Sequence, residues 1–186
     1  YRTLGRTGLE VSEVGFGAMN TRDAALIEAA IDSGINYIDT AHIYMRGKNE
    51  EIVGQAIKGK RDKIILATKV WTFATTQGWL RGKMEESLER LQTDYVDIMF
   101  KHMAHGRDAV FDESDMEVFA QARDDGLCRY IGISLHSDHV ETIDAAVESG
   151  FWDVILVGYN YKSTGEVTAA INRAADAGIE IGRAHV

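Results

Sequence analysis

The stretch GINYIDTAHIYMRGKNEEIVGQAIKGKRDKIILATKV, residues 34–70, decides the fold. It begins with a short apolar segment, INYIDTA, continues into an amphipathic segment, NEEIVGQAIKG, and ends with a second apolar segment, KIILATKV. Short apolar, β-rich runs predict strands, and apolar residues at helical spacing predict a helix between them. The stretch therefore predicts a strand–helix–strand unit in which the two strands run parallel.

The same alternation continues along the rest of the chain. A first strand is predicted in VSEVGFGA (11–18), and six more predicted strands begin near Ile35, Lys63, Tyr95, Arg129, Asp153 and Ile179. Helix ends are indicated by the glycines at positions 34, 59, 126, 150 and 178, each placed between a periodic segment and a strand. We predict an α/β fold with a parallel sheet of about seven strands and about six helices.

Two architectures fit this alternation: an open doubly wound sheet and a closed (β/α)8 barrel. A doubly wound dinucleotide-binding fold needs G-x-G-x-x-G after its first strand, and GFGAMN (15–20) lacks the third glycine. We therefore interpret this turn as barrel floor and predict a parallel (β/α)8 TIM barrel. Residues 1–186 are expected to form one domain lacking the last βα units, since such barrels need at least about 200 residues. Its first and seventh strands would then have free edges beside an exposed apolar interior.

Composition narrows the class of protein and its partners. The chain has 186 residues, of which 45% are hydrophobic, which is enough for a real core. Its net charge of −9 disfavours attraction to nucleic acid and to anionic membranes. The lone Cys128 cannot form an internal disulfide, and no charged leader or spanning apolar run is visible. We expect a cytoplasmic protein without nucleic-acid or membrane partners, and we predict no oligomeric state.

Four polar side chains lie where three successive predicted strands end and the following loops begin. Asp39 ends the strand INYID and Tyr44 follows it, Lys69 lies at the end of KIILATKV next to Val70, and His102 ends YVDIMFKH. Side chains at the carboxyl ends of parallel barrel strands meet at one face of the barrel, so these four are expected to converge. A phenol, an ammonium with its carboxylate counter-ion and an imidazole suit the reduction of a carbonyl group.

Each of the four has a role in such a reaction. The carbonyl oxygen needs a proton as it becomes an alkoxide, and Tyr44 is the expected donor. The Lys69 ammonium would favour the phenolate that remains, and Asp39 would stay paired with Lys69. His102 would donate a hydrogen bond to the substrate oxygen and orient it. The hydride must come from a cofactor, because no side chain can supply one.

Each residue also has a simpler explanation. Asp39 could cap a turn, and Tyr44 could be an aromatic at the rim of the barrel. Lys69 could be the first solvated residue after its strand, and His102 could bind backbone. Their joint occurrence at three strand ends favours the catalytic interpretation.

Several motifs taken together resemble one enzyme family. They are D-T-A-x-x-Y (39–44), T-K (68–69) and D-Y-V-D-x-x-x-x-H (94–102), within a similarity that runs from YRTLGRTGLEVSEVGFGAM to the AGIEI near residue 180. The chain thereby resembles the aldo-keto reductases, in a bacterial subgroup. The resemblance implies reduction of a small-molecule aldehyde or ketone by NADPH, with NADH as the less common donor. It implies the same roles for Tyr44, Lys69, Asp39 and His102.

The resemblance also implies cofactor contacts. Gly17, Ala18 and Met19 correspond to the strand end under the nicotinamide ribose, with Asp39 beside them. Ser134 matches a serine that binds the carboxamide. The Asn that commonly follows it is Leu135 here, and Leu156 stands where many members have Gln. We interpret Tyr159 and Tyr161 as core aromatics rather than pocket walls.

Two other functions remain open. Histidines 42, 102, 105, 136 and 139 fall near predicted strand ends, and barrels often host metal hydrolases. No H-x-H appears on the first strand and the spacing gives no metal signature, so we predict no metal site. The other alternative is a reductase-like binding protein that does no chemistry.

Overall fold

The fold is described by a computed structural model over residues 1–73 and 76–184, with only the backbone described at 183 and 184. The strands are β1 (Arg2–Leu4), β2 (Leu9–Val11), β3 (Phe16–Gly17), β4 (Tyr37–Asp39), β5 (Ile65–Trp71), β6 (Val96–Ala104), β7 (Cys128–Leu135), β8 (Val154–Gly158) and β9 (Glu180–Ala184). The α-helices are α1 (Ala24–Asp32), α2 (Lys48–Ala56), α3 (Gln77–Leu91), α4 (Gly106–Val110), α5 (Glu113–Asp124), α6 (His139–Ser149) and α7 (Gly165–Asp176).

Strands β3 to β9 form one parallel sheet in strict chain order, which confirms the predicted α/β class and its seven strands. Crossovers between parallel strands are right-handed, so strictly sequential order places every crossover helix on the same face. The other face can then be covered only if the sheet curls on itself, as in a barrel. Strands β3 and β9 lie at the two ends of this curled sheet.

The helices begin and end as their sequences indicate. Side chains cap four helix starts by accepting a hydrogen bond from a backbone N–H of the first turn, and these caps are Asp23, Thr76, Asp112 and Thr164. All five glycines predicted to follow helices have positive φ, from +60° at Gly150 to +96° at Gly34. The count of helices was low by one, because the five-residue helix α4 is too short to show a periodic pattern.

The sheet separates two apolar layers. Alternate side chains of each strand pack outward against the helices, around Met84, Phe119 and Trp152. The others point into the barrel and form a smaller cluster of buried residues, made up of Leu4, Leu9, Ile65, Ala67, Ile98, Phe100, Val154 and Leu156.

The barrel floor is a feature that the sequence analysis placed wrongly. The antiparallel hairpin β1–β2 forms it, and residues 16–17 instead form the first strand of the sheet. Leu4 and Leu9 of the hairpin close the interior cluster from below, and the Tyr130 hydroxyl donates to the Thr7 carbonyl. The expectation of an exposed apolar interior is also wrong for this cluster, since none of its side chains is more than 7% exposed.

Within residues 1–73 and 76–184, no helix is both long enough and apolar enough to cross a lipid bilayer.

Candidate active site

The alternation of the strands brings polar side chains to the carboxyl end of the barrel interior. On β5 the inward positions are Ile65 and Ala67, followed by Lys69, and on β6 they are Ile98 and Phe100, followed by His102. The lower positions are apolar and buried, whereas the top position of each strand carries a charge or an imidazole. Asp39, the last residue of β4, lies in the same layer.

Lys69 stands at the centre of this layer. Its ammonium donates to Asp39 Oδ2 at 2.6 Å and to the Thr40 carbonyl at 2.7 Å, and it lies 3.4 Å from the Tyr44 hydroxyl oxygen. The Lys69 side chain is only 2% exposed, so its charge acts over these distances with little screening by water. The structure thus brings together the phenol, the ammonium and the carboxylate that the sequence predicts to converge.

Burial and the neighbouring Lys69 ammonium change the pKa of Asp39 in opposite directions. Burial raises the pKa of Asp39, while the charge and the hydrogen bond of Lys69 work against that rise, and the net direction is upward. The second carboxylate oxygen, Oδ1, is buried and has no hydrogen-bond partner among the described residues. A buried acceptor without a donor is costly, so Oδ1 is suited to receive a hydroxyl from a bound molecule.

His102 faces Tyr44 across the mouth of the barrel. The two rings meet edge to face with their centroids 5.8 Å apart, and the His136 ring lies 6.0 Å from His102 on the other side. Burial, with smaller contributions from the charges of Lys69 and His136, lowers the pKa of His102 to about 3. The imidazole is therefore neutral near pH 7 and carries one N–H.

A break in strand β6 directly follows His102. The pairing of β6 with β7 shifts register between Lys101 and Ala104, and Met103 has a left-handed backbone with φ of +59°. The displaced Met103 N–H donates to the Ser134 hydroxyl oxygen at 3.1 Å. The fully buried Ser134, predicted to bind a cofactor, thus also holds the backbone next to His102. Sequence reasoning missed this contact because a bulge leaves no periodic signal.

The segment with Tyr44 is fixed at its base by the backbone. The Thr40 and His42 N–H groups donate to the carbonyls of Ala67 and Lys69, which extends the pairing of β4 with β5. Beyond Tyr44, the backbone is left-handed at Met45, Arg46 and Gly47, with φ of +51°, +55° and +88°.

Asn49 is a second residue that sequence reasoning missed. It is fully buried, its side-chain oxygen accepts from the Thr40 hydroxyl at 2.7 Å, and its amide donates to the Ala18 carbonyl at 2.7 Å. It thereby ties the end of β3 to the end of β4. A polar residue within the apolar pattern of the predicted helix 49–59 was the available signal.

The candidate cofactor residues of the first strand differ in what they can offer. Gly17 pairs with Asp39, and a Cβ at Gly17 would meet no atom within 4 Å, so open space adjoins this strand end. Met19 is half exposed at the same end. The Ala18 side chain is buried in the outer layer, so Ala18 can offer only its backbone. The free space at Gly17 thus lies on the strand that pairs directly with the one carrying Asp39.

The remaining predicted positions fall in different environments. Leu156 packs in the interior cluster and Leu135 in the outer layer, so neither replaces the amide side chain common in the family. Tyr159 packs against the outer core as predicted. The interpretation of Tyr161 as a core aromatic is wrong, since it is 91% exposed in a turn after β8.

The histidines at positions 42, 102, 105, 136 and 139 fall in different surroundings. His42 packs against Ser87 and Arg90 of α3, on the outer side of the sheet, away from His136 and His139. Within residues 1–73 and 76–184, no three His, Cys, Asp or Glu side chains are arranged to hold a metal ion. The metal-hydrolase alternative thus gains no support from these residues.

A curled parallel sheet thus carries Tyr44, Lys69, Asp39 and His102 together at its mouth. Residues 10–181 match the model of the Aldo/keto reductase family, and the chain belongs to that family. It is 39% identical over 148 residues to the uncharacterized oxidoreductase YqkF of Bacillus subtilis (strain 168), with 72% of this chain and 48% of the relative covered. The chain spans about half the length of the curated relatives that it matches.

Solved structures agree with the fold. The holo form of an aldo-keto reductase from Bacillus halodurans superposes with a TM-score of 0.84 at 30% identity, covering 98% of this chain and 64% of that one. An aldo/keto reductase from Klebsiella pneumoniae in complex with NADP and acetate has a TM-score of 0.80 at 26% identity, covering 97% and 67%. The predicted incomplete (β/α)8 barrel is thereby confirmed.

Proposed function

We propose that the protein containing this chain reduces an aldehyde or ketone to an alcohol with a nicotinamide cofactor, and that Tyr44 is the proton donor. One observation carries the proposal. The buried Lys69 ammonium lies 3.4 Å from the Tyr44 hydroxyl oxygen and 2.6 Å from Asp39 Oδ2. This is the arrangement in which a phenol can give up a proton beside a fixed positive charge.

Tyr44 and His102 act on the carbonyl oxygen, and Lys69 and Asp39 act on Tyr44. Tyr44 donates its hydroxyl proton to the oxygen as the C=O bond is reduced. The Lys69 ammonium stabilises the phenolate left behind, and Asp39 keeps that ammonium charged and in place. The neutral His102 donates its single N–H to the same oxygen and orients the carbonyl toward Tyr44.

A bound NADPH or NADH would supply the hydride. We propose that Asp39 Oδ1 accepts a ribose hydroxyl, that Gly17, Ala18 and Met19 line the ribose, and that Ser134 contacts the carboxamide. The Ser134 hydroxyl accepts from Met103 N and keeps its own hydrogen available for this contact. The related Klebsiella pneumoniae protein is complexed with NADP, which favours NADPH here, with NADH possible.

The substrate is a small-molecule carbonyl compound, and a mostly apolar cleft that adjoins the Tyr44 segment at His42 and Ile43 suits its hydrocarbon part. The cleft has a volume of about 690 Å³, and its lining also includes Trp71, Phe73 and Trp79, with Thr76 and Lys83 as polar members. Trp71 follows Lys69 by two residues on β5 and so continues the inward-facing row of that strand. Aromatic walls favour aliphatic or aryl aldehydes over highly charged substrates.

Replacing Tyr44 by Phe tests the proposal. In the full-length parent protein, Tyr44→Phe is expected to lower kcat for NADPH-dependent aldehyde reduction by about 100-fold or more, because the proton donor is lost. Loss of NADPH absorbance measures the rate. Tyr95→Phe is the matched control, since Tyr95 precedes β6 at the opposite end of the barrel and packs on Arg61.

Full turnover by Tyr44→Phe would reject the assignment of the proton donor. Tight binding of NADPH without turnover of any aldehyde or ketone by the wild-type protein would favour the binding-protein alternative. Activity that disappears in chelator and returns with added metal would instead favour the hydrolase alternative.

A further inference from the structure

Arg90, in the last turn of α3, touches both ends of the segment that carries Tyr44. At the near end, Arg90 Nη1 lies 3.3 Å from His42 Nδ1 and 3.5 Å from the His42 carbonyl oxygen. At the far end, the guanidinium lies so close to Gly47 that a Cβ there would overlap it. One planar cation therefore lies under residues 42–47, with Tyr44 between its two contacts.

The backbone of this segment needs external support. Met45 and Arg46 are left-handed without being glycine, a conformation that costs free energy for each residue and persists only when the surroundings enforce it. Gly47 follows with φ of +88°, so three consecutive residues are left-handed. Among the described contacts of the segment, those of Arg90 reach both sides of Tyr44.

The position of Arg90 is itself fixed by charge. Its Nη2 donates to Glu86 one turn earlier on α3, and its Nη1 lies 3.6 Å from Oε2 of the fully buried Glu50. The other oxygen of Glu50 accepts from the Thr68 hydroxyl at 2.6 Å, and Thr68 is the neighbour of Lys69 on β5. Through Glu50, Arg90 is thus linked to strand β5, which carries Lys69. Through its contacts with His42 and Gly47, it is linked to the segment that carries Tyr44.

The protonation state of His42 is consistent with its contact with Arg90. Burial and the positive charge of Arg90 lower the pKa of His42 to about 4, so the ring is neutral near pH 7. Its Nδ1 can then accept a hydrogen bond either from the Arg90 guanidinium or from the Ser87 hydroxyl, which lies 3.2 Å away. His42 belongs to this support and does not face the reacting atoms.

We propose that Arg90 is a positioning residue that holds the Tyr44 hydroxyl within reach of Lys69 and of the substrate oxygen. This inference rests on the proposed function of Tyr44. A displacement of about 1 Å at a reacting group costs on the order of 100-fold in rate, and the left-handed segment can relax in many directions when its support is removed.

Two substitutions of Arg90 separate positioning from stability. Arg90→Met keeps the hydrocarbon stem and removes the guanidinium, and Arg90→Lys keeps a cation near Glu50 and Glu86 without the planar group. We expect kcat to fall about 10- to 100-fold for Arg90→Met and less for Arg90→Lys, with the KM for NADPH changed by less than about threefold. Arg81→Met is the matched control, because Arg81 is ion-paired to Glu85 on the same helix.

A double variant tests whether Arg90 acts only by neutralising the buried carboxylate of Glu50. If Arg90 served only to neutralise Glu50, then Glu50→Gln combined with Arg90→Met would restore kcat. We expect the double variant to recover thermal stability while kcat stays at the level of Arg90→Met. Recovery of both quantities would overturn the proposal.

A spectroscopic readout keeps this test independent of activity. The chain has seven tyrosines, and fluorotyrosine labelling gives each a fluorine resonance. The resonance absent from Tyr44→Phe identifies Tyr44. It is expected to shift or broaden in Arg90→Met and to stay unchanged in Arg81→Met. An unchanged resonance with unchanged kcat would overturn the role of Arg90, whereas an inactive wild type with a shifted resonance would overturn only the proposed function.

Discussion

The orientation of His102 depends on a single hydroxyl in the neighbouring strand. Ser134 accepts the N–H of the left-handed Met103, so the backbone bulge after His102 is held from β7. Bulges re-aim the side chains beside them, and this one lies at the mouth of the barrel. The chemistry proposed for the imidazole therefore depends on a residue that also faces the proposed cofactor.

Ser134→Ala is expected to disturb this arrangement before any ligand binds. It removes the acceptor of the Met103 N–H in a partly buried setting, which should lower the free energy of unfolding by about 1 kcal/mol. It should also shift the imidazole NMR resonance of His102, identified from a His102→Gln variant.

Ser149→Ala is the control for Ser134→Ala, because the Ser149 hydroxyl also accepts a backbone N–H, that of Phe151, and donates to the Ala146 carbonyl of helix α6. Urea unfolding and proton NMR of the cofactor-free protein make the comparison. Equal losses of stability in both variants, with an unmoved His102 resonance, would contradict the role given to Ser134.

The residues of the site differ in how far sequence could place them. Asp39 ends its strand and Lys69 and His102 lie two residues before the ends of theirs, and the two-residue period of a strand fixes which face each side chain takes. Tyr44 lies directly before three left-handed residues that no periodic pattern predicts, so its distance to Lys69 required the structure. Tyr161 was misplaced because the chain turns outward after β8, where the Asn160 side chain accepts from the Lys162 N–H.

At the level of elements, the packing of α2 on α3 depends on a glycine. A Cβ on Gly54 of α2 would lie 2.6 Å from the Arg90 carbonyl oxygen and 2.9 Å from the Leu91 carbonyl carbon. Backbone atoms cannot move aside as a flexible side chain can. The two helices that flank the Tyr44 segment therefore approach each other closely only because position 54 has no side chain.

Gly54→Ala and Gly82→Ala are expected to have opposite effects on stability. Gly54→Ala should destabilise the protein by about 1–3 kcal/mol through forced separation of the helices. Gly82 lies in α3 with no atom within 4 Å of a Cβ, so Gly82→Ala should stabilise by up to about 1 kcal/mol through helix propensity. Thermal unfolding followed by circular dichroism measures the change in stability of each variant. If both variants are stabilised or both are destabilised, the close approach of α2 and α3 does not determine the effect of an added methyl group.

The elements that sequence analysis predicted best are those with long apolar patterns and glycine stops. Strands β5 to β8 and the long helices have both. The hairpin β1–β2 was missed because two strands of three residues each carry too little pattern, and its role as barrel floor depends on contacts with residues far along the chain. Helix α4 has five residues, little more than one turn.

For the whole molecule, buried histidines predict acid sensitivity. The pKa of His102 is about 3 in the folded protein against 6.5 for an unperturbed histidine, so the unfolded chain binds more protons between these pH values. Stability contributed by the neutral ring is present above pH 6.5 and is lost as pH falls, with a slope of up to about 1.4 kcal/mol per pH unit. His42, with a pKa of about 4, acts in the same direction.

Comparison of the wild type with a His102→Gln variant assigns the pH dependence of the free energy of unfolding to His102. Urea unfolding between pH 7.5 and pH 5 is expected to show a shallower loss of stability for His102→Gln than for the wild type, by about 2 kcal/mol at pH 5. His105→Gln, at an exposed position, serves as the control substitution. Asp39 and Glu50, whose pKa values are raised, are common to all three proteins and cancel in the comparison. Parallel profiles for the wild type and His102→Gln would contradict the burial of a neutral imidazole.

The hairpin at the barrel floor has a practical consequence for handling the protein. Residue 1 is exposed, and the strand that follows it lies under the barrel, at the end opposite the carboxyl tips of the parallel strands. A surface linkage or affinity handle attached at this end would leave the mouth with Tyr44 facing the solution. Attachment through residue 1 of this chain is therefore the orientation that should leave the mouth accessible to small molecules.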